Sequence, residues 1–185
     1  IGIGLKDEVL ESATAPNTIR MLEGSDPKLK HEYVVYSAHM DHVGTAGRGS
    51  CQARGGDTIC NGADDDGSGT VGVIELAEAF TQRGVRPKRS VLFVAVTLEE
   101  SGLLGSKYYV AHPGIPLENT VGVINMDAMS VVGKTRDMVV TGYGASELED
   151  ILKPVAEQMG RVLHAESSVE KGFYYRSDHF NFAKQ

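Results

Sequence analysis

Three aspartates, Asp64, Asp65 and Asp66, stand side by side in the segment NGADDDGSGT at positions 61–70. Adjacent carboxylates repel one another, and a folded chain that keeps them together usually pairs them with a cation or a metal ion. An aspartate run ahead of a helix also has a simpler explanation, because a carboxylate can cap the helix and favour its positive end. The segment is therefore a candidate cation site, and other residues of metal-binding type near it would favour that interpretation over helix capping.

Further residues of metal-binding type occur where apolar runs end. His39 ends the run EYVVYSAH and Asp41 follows it, Glu99 and Glu100 follow SVLFVAVT, and Asp127 follows TVGVINM. The carboxyl ends of strands in an open α/β sheet form the edge where ligands bind. Imidazole with carboxylate oxygen is a common set of zinc ligands. Each residue alone is weak evidence, because polar residues end many strands, but together they predict a divalent metal site at one sheet edge.

Apolar runs of strand type alternate along the chain with segments of helical periodicity. Strands are predicted at 17–24, 32–39, 90–97, 120–126, 137–141 and 161–166, and helices at 68–83, 103–111 and 146–159. This alternation predicts an α/β fold with a mixed, largely parallel central sheet and helices on both faces. We expect one catalytic domain over residues 1–185, in which residues 1–16 lead into the fold. The glycine-rich loop 43–62 is long enough to suggest a functional role.

The chain has 185 residues, 41% of them hydrophobic, and a formal net charge of −7. That length and composition suffice for one apolar core. An acidic chain without a basic stripe is a poor candidate for binding nucleic acid or an anionic membrane. Its apolar runs are too short to span a bilayer. Composition specifies no oligomeric state.

Two cysteines, Cys51 and Cys60, fall in the polar loop. Two interpretations are open: unpaired thiols, or a local disulfide in an exported protein. The disulfide is favoured, because exposed free thiols are uncommon in oxidising compartments. We therefore expect a secreted or periplasmic protein. The chain begins at Ile1 and not at Met, which suggests that an upstream segment has been removed or omitted.

The order of these motifs resembles that of the two-zinc aminopeptidases, which are related to glutamate carboxypeptidase and glutaminyl cyclase. The resemblance covers about residues 30–185 and rests on HMD (39–41), GADDDGSG (62–69), LEESGLLGS (98–106), NMD (125–127) and SDH (177–179). Five motifs in the same order make it specific. It implies a metallopeptidase that removes N-terminal residues from peptides. A dipeptide carboxypeptidase or a glutaminyl cyclase is the alternative among enzymes.

A non-catalytic receptor or scaffold domain is the alternative from another class of protein. Such relatives usually lose the metal ligands, whereas every ligand expected before Gln185 is present in this sequence. The presence of those ligands therefore favours the enzyme.

The resemblance also implies a role for each matching residue. Asp65 would bridge two zinc ions. His39 and Asp127 would complete the first zinc site, and Glu100 would bind the second ion. Asp41 would accept a hydrogen bond from the ring of His39 and fix its tautomer.

The residues that would act on the substrate follow from the same resemblance. Glu99 would be the general base that takes a proton from the attacking water. Tyr174 would donate a hydrogen bond to the developing oxyanion, with its neighbour Tyr175 as a rival for that role. Close to the ligands or the substrate we expect Ser177, Asp178 and His179.

Two further expectations concern the backbone and the carboxyl end. The resemblance implies a cis peptide bond between Asp65 and Asp66. In relatives, the last histidine ligand of the second metal follows a later strand, and this sequence stops at Gln185 before reaching it. We therefore expect a domain that is incomplete at its carboxyl end. Its second zinc would be held only by Asp65 and Glu100, and would be weakly bound.

Overall fold

The strands and helices follow the predicted order closely. The computed structural model describes residues 14–47 and 51–185, so most of the predicted lead-in segment 1–16 lies outside the described residues. The elements are β1 (Thr18–Leu22), β2 (Tyr33–His39), β3 (Gly44–Thr45), β4 (Ile59–Cys60), α1 (Gly67–Gln82), β5 (Ser90–Val96), α2 (Leu104–Ala111), β6 (Thr120–Asn125), β7 (Asp137–Val140), α3 (Leu148–Gln158), β8 (Val162–Ala165) and α4 (His179–Ala183).

The central sheet has the strand order β1-β5-β2-β6. β2 runs parallel to both of its neighbours, β5 and β6, and β1 is antiparallel to β5. This arrangement confirms the predicted mixed and largely parallel sheet. β7 and β8 form a separate parallel pair, which the sequence pattern did not distinguish from the central sheet because both pairings use the same residue types.

The core is divided between the two faces of this sheet. Along β5, alternate residues point to opposite faces, as the period of an extended strand requires. One buried cluster contains Val35, Leu92, Val94 and Val96, and the other contains Ala38, Val91, Phe93 and Val73 of α1. Both strands are therefore buried on two sides, which explains why their sequences are almost continuously apolar.

The chain connections leave the central strands in opposite directions. The connection through α1 runs from β2 to β5, and the connection through α2 then returns past β2 to β6. Because such crossovers are right-handed, they place α1 and α2 on opposite faces, as predicted. Loops that diverge in this way open a crevice at the carboxyl ends of β2 and β5, where ligands bind in α/β sheets.

The long loop carries more structure than the sequence indicates. β3 and β4 pair as a short antiparallel hairpin. Cys51 and Cys60 form a disulfide with their Cα atoms 5.9 Å apart, the pairing that the sequence favours. Within the described residues, none of the helices combines the length and the apolar character needed to cross a membrane.

We predict that Gly105→Ala destabilises the protein, because α2 starts against the end of β5. A Cβ atom at Gly105 would overlap the carbonyl oxygen of Thr97 and approach Asn17 Oδ1 to 2.7 Å. Overpacking of this kind costs about 1–3 kcal/mol of unfolding free energy. Urea denaturation would measure the loss. Gly114→Ala is the matched control, because its Cβ would meet no atom within 4 Å; equal stability of the two variants would contradict the prediction.

Candidate metal centre

His39 is placed to bind a metal through one nitrogen. It is the last residue of β2 and its side chain is only 1% exposed. Its Nδ1 lies 3.0 Å from the backbone oxygen of Asp41, and its Nε2 lies 3.0 Å from Asp65 Oδ1 and 3.5 Å from Asp127 Oδ1. A ring that donates from Nδ1 to a carbonyl has its lone pair on Nε2. That Nε2 is buried and has no hydrogen-bond partner among the described residues.

Asp66 serves a different purpose from its neighbour Asp65. Its carboxylate is buried and accepts backbone N–H bonds from His39 at 3.0 Å, from Gly69 at 2.9 Å and from Ala128 at 3.2 Å. Burial raises the pKa of Asp66 to about 6 against the effect of these bonds. Because both oxygens are engaged, we assign Asp66 to structure, although it lies close enough to His39 and Asp127 for a shared metal.

Asp65 keeps its carboxylate available. Its side chain is 48% exposed, and among the described residues its one ion-pair contact is with His39 Nε2 at 3.0 Å. The peptide bond between Asp65 and Asp66 is cis, as the resemblance implies. The three adjacent aspartates thus have different surroundings. Asp65 contacts the imidazole of His39, Asp66 accepts hydrogen bonds from three backbone segments, and Asp64 is exposed.

Asp127 is oriented by a chain of hydrogen bonds. Ser177 Oγ donates to Asp127 Oδ2 at 2.6 Å, and Asn125 Nδ2 donates to that same Oγ at 2.7 Å. Ser37 Oγ in turn donates to Asn125 Oδ1 at 2.6 Å. The other carboxylate oxygen, Oδ1, is left facing the Nε2 atom of His39. Ser177 therefore lies next to a predicted ligand, and the segment before α4 contributes to the centre.

A second group of donors lies beside the first. It consists of His42, Asp65 and Glu100, whose candidate ligand atoms all lie within 4.8 Å of one another. His42 Nδ1 is 2.8 Å from Glu100 Oε1, yet it makes no hydrogen bond among the described residues. Sequence reasoning missed His42. The available signal was a second histidine three residues after His39, in the loop that follows the same strand.

The electrostatics of the centre suit a cation. Burial lowers the pKa of His39, but the carboxylates of Asp127, Asp41 and Asp66 outweigh it and raise that pKa to about 11. The negative potential that holds a second proton on this ring would also attract a dication, which would displace that proton on binding. Buried unpartnered nitrogens facing carboxylates are the donors that zinc prefers, so the residues present fit this metal.

Glu99 follows β5 and lies in the same charged environment. Burial raises the pKa of its carboxyl to about 8, and nearby Asp127, Asp178 and Glu100 act in the same direction. Its backbone N–H donates to Asp41 Oδ1 at 3.1 Å. A dication bound nearby would lower this pKa and favour the ionised carboxylate.

The expected bond between the Asp41 carboxylate and the His39 ring differs in detail. Oδ1 of Asp41 lies 3.6 Å from Nδ1, whereas the backbone oxygen of Asp41 lies at 3.0 Å. The closer carbonyl takes the ring N–H, since Nδ1 has one proton to donate. The carboxylate instead accepts from the backbone of Glu99 and contributes to the field around the ring. Asp41 therefore joins the ends of β2 and β5.

The remaining predicted residues differ in burial. Asp178 is fully buried, accepts a hydrogen bond from Ser106, and has its pKa raised to about 6 by burial. The ring of Tyr174 lies 4.9 Å from that of His179, whose Nε2 has no partner among the described residues. Tyr175 is 63% exposed. Roles for these four residues in binding or catalysis stay predictions.

A cleft of about 660 Å³ opens beside the second group of donors. Its lining includes His42, Asp64 and Asp65 together with the loop residues Arg54 and Cys60. The disulfide-bonded loop therefore forms a wall of the cleft next to the candidate metal ligands.

Residues 17–185 match Peptidase family M28 over nearly the whole chain. The chain belongs to this family. The "probable leucine aminopeptidase 2" of Aspergillus oryzae is 37% identical to it over 106 residues, which are 57% of this chain and 18% of that relative. The chain thus spans only a small part of the length of this relative.

Solved structures of other proteins have the same fold. The zinc aminopeptidase BSAP from Bacillus subtilis superposes with a TM-score of 0.65 at 24% identity, covering 91% of this chain and 37% of that one. The glutaminyl cyclase of Bacteroides thetaiotaomicron superposes with a TM-score of 0.63 at 20% identity, covering 91% of this chain and 60% of that one. These likenesses establish the fold, and the chemistry has to be argued from the side chains.

We predict that Ser177→Ala weakens zinc binding to this chain about 10–100-fold, because it frees the Asp127 carboxylate to rotate. Isothermal titration with zinc would measure the change. Ser167→Ala is the matched control, since Ser167 is exposed and makes no side-chain hydrogen bond among the described contacts. Unchanged affinity in Ser177→Ala would show that the bond at 2.6 Å does not position the ligand.

Proposed function

We propose that the protein is a zinc-dependent aminopeptidase, a hydrolase that removes N-terminal residues from peptides. The observation that carries the proposal is the position of Glu99. Its half-buried carboxyl follows β5, and the nearby carboxylates of Asp127 and Glu100 act on it. Asp65 lies between the two groups of ligand donors, 3.0 Å from His39 Nε2 and within 4.8 Å of the donors of His42 and Glu100. Family membership supports the reaction class, and the names of the relatives, a leucine aminopeptidase and a zinc aminopeptidase, support the type of substrate.

His39, Asp65 and Asp127 would hold the first zinc ion, and Asp65 and Glu100 would hold the second. When bound, zinc supplies Lewis-acid chemistry, because it polarises the scissile carbonyl and makes an attacking water more acidic. The protein contributes the fixed donor set: Nε2 of His39 is held by the Nδ1 contact to Asp41, and Asp127 is held by Ser177.

Glu99 would take the proton from the attacking water and pass it to the leaving amine. This role requires a carboxylate that is close to the reacting atoms and free of other bonds. No hydrogen bond to the Glu99 carboxylate occurs among the described residues, and its backbone is anchored by Asp41. Tyr174 would stabilise the oxyanion, which requires its hydroxyl to reach the substrate carbonyl.

The charge of the cleft favours an aminopeptidase over a dipeptide carboxypeptidase. Asp57, Asp64 and Asp65 line it, and these carboxylates would attract the positively charged amino terminus of a peptide. A glutaminyl cyclase is the alternative within the family. Cyclases of this kind use one zinc ion, whereas Asp65 and Glu100 together provide carboxylates for a second, so the number of zinc ions bound separates the two reactions.

We also propose that the protein is secreted or periplasmic. The disulfide between Cys51 and Cys60 supports this location, because disulfides persist in oxidising compartments. Labelling of thiols with and without reduction, on protein taken directly from its source, would test the pairing.

The central prediction is metal-dependent hydrolysis of aminoacyl-p-nitroanilides by the protein. Exhaustive chelation should abolish the activity, and zinc should restore it, because the proposed chemistry requires the metal. An N-acetylated substrate is the control, since it lacks the charged amino terminus and should be cleaved poorly. Full activity after chelation, with metal analysis showing no residual zinc, would contradict the proposal.

Glu99→Gln and Asp65→Ala should separate proton transfer from metal binding. We expect Glu99→Gln to lose about 10²–10⁴-fold in kcat while its zinc content stays unchanged, because it removes only the base. Asp65→Ala should lose both zinc and activity. Loss of zinc from Glu99→Gln would show that Glu99 is a ligand and that the assigned roles are wrong.

A further inference from the structure

We propose that His42 is a protein ligand of the second metal, so that this chain supplies three donors there: His42, Asp65 and Glu100. The inference rests on the proposed function for the presence of zinc and goes beyond it in assigning a histidine. The three side chains reach the position from the loops after β2 and β5 and from the turn before α1.

The contact between His42 and Glu100 is the first observation. Their atoms Nδ1 and Oε1 lie 2.8 Å apart, but the contact lacks hydrogen-bond geometry and Nδ1 has no other partner among the described residues. Two electron-pair donors at this separation repel each other unless a positive charge lies beside them. A cation that accepts both lone pairs removes that repulsion, and imidazole with carboxylate is a donor pair that zinc accepts.

The second observation is that Asp65 is approached by two imidazoles. His39 is 1% exposed, and its unpartnered Nε2 lies 3.0 Å from Asp65 Oδ1. Asp65 also lies within 4.8 Å of the donors of His42 and Glu100. Tetrahedral ligands about 2.1 Å from zinc are separated by about 3.4 Å, so these donors need only small side-chain rotations to share an ion. One oxygen of the Asp65 carboxylate would then lie toward His39 and the other toward His42.

The third observation is the close packing of Gly62 against His42. Gly62 has a φ of +65°, and a Cβ atom there would lie 2.7 Å from His42 Cβ and 2.8 Å from the Asp65 carbonyl oxygen. Its own carbonyl accepts the N–H of Gly67 at 2.8 Å, at the first turn of α1. Only glycine permits this approach without strain. The absence of a side chain at Gly62 therefore allows the backbone of the acidic loop to lie beside His42.

Zinc titration by calorimetry, with metal analysis, tests the proposal on this chain without reference to activity. The unaltered chain should bind two equivalents of zinc. In His42→Ala and His42→Asn, the first equivalent should be retained and the second weakened by more than about 100-fold, since loss of a direct ligand costs more than loss of its outer hydrogen-bond partner. His164→Ala is the matched control, because His164 is an exposed histidine of β8.

Nitrogen-15 NMR of the histidine rings distinguishes a ligand from a packing role. The second equivalent of zinc should shift the Nδ1 resonance of His42, whereas the first should shift the Nε2 resonance of His39. A His42 that only supports Glu100 would keep both of its ring resonances unmoved. His42→Asn also guards against misfolding of the alanine variant, and circular dichroism of both variants should match that of the unaltered chain.

The outcomes separate this inference from the proposed function. A second equivalent that binds equally well to both His42 variants, with the first intact, would contradict the inference alone. Failure of the unaltered chain to bind any zinc would contradict the proposed function, and this inference with it. Selective loss of the second equivalent, together with the Nδ1 shift, would establish His42 as the ligand.

Discussion

The carboxylate of Asp66 holds the candidate centre together. It accepts backbone N–H bonds from the end of β2, from the first turn of α1 and from the segment after β6. Those three segments carry His39, the acidic run and Asp127. A buried carboxylate with three backbone donors is costly to move, because any shift leaves either the charge or an N–H group unsatisfied. The positions of the proposed ligands therefore depend on this residue.

Concentrated negative charge is the cost of this arrangement. Burial raises the pKa values of Asp66, Glu99 and Asp178 above their ordinary values. The surrounding carboxylates raise the pKa of His39 to about 11. A raised pKa favours the protonated form of each of these side chains. The metal-free centre would therefore bind protons at positions where the metal-bound centre binds dications. Metal binding would thus contribute to the stability of this edge of the sheet as well as to its chemistry.

The scaffold gathers these groups through its topology. Parallel strands bring their carboxyl ends to one edge, and the opposite directions of the two crossovers open a crevice there. The disulfide-bonded loop after β2 lines the cleft together with His42 and Asp65. A rigid sheet therefore positions the ligands, while a loop, the part of a fold that varies most readily, shapes the space for a substrate.

The sequence by itself determined the order of strands and helices, the largely parallel sheet, and the presence of His39, Glu100 and Asp127 at strand ends and of Asp65 before a helix. These features follow from local periodicity and from the residue types that end apolar runs. Tertiary structure alone decided that Asp66 binds backbone where Asp65 faces an imidazole, that Ser177 orients Asp127, and that His42 meets Glu100. It also decided that β7 and β8 leave the central sheet. Such contacts join residues far apart along the chain, and their atoms meet only when strands, turns and rotamers are placed together, so no local pattern specifies them.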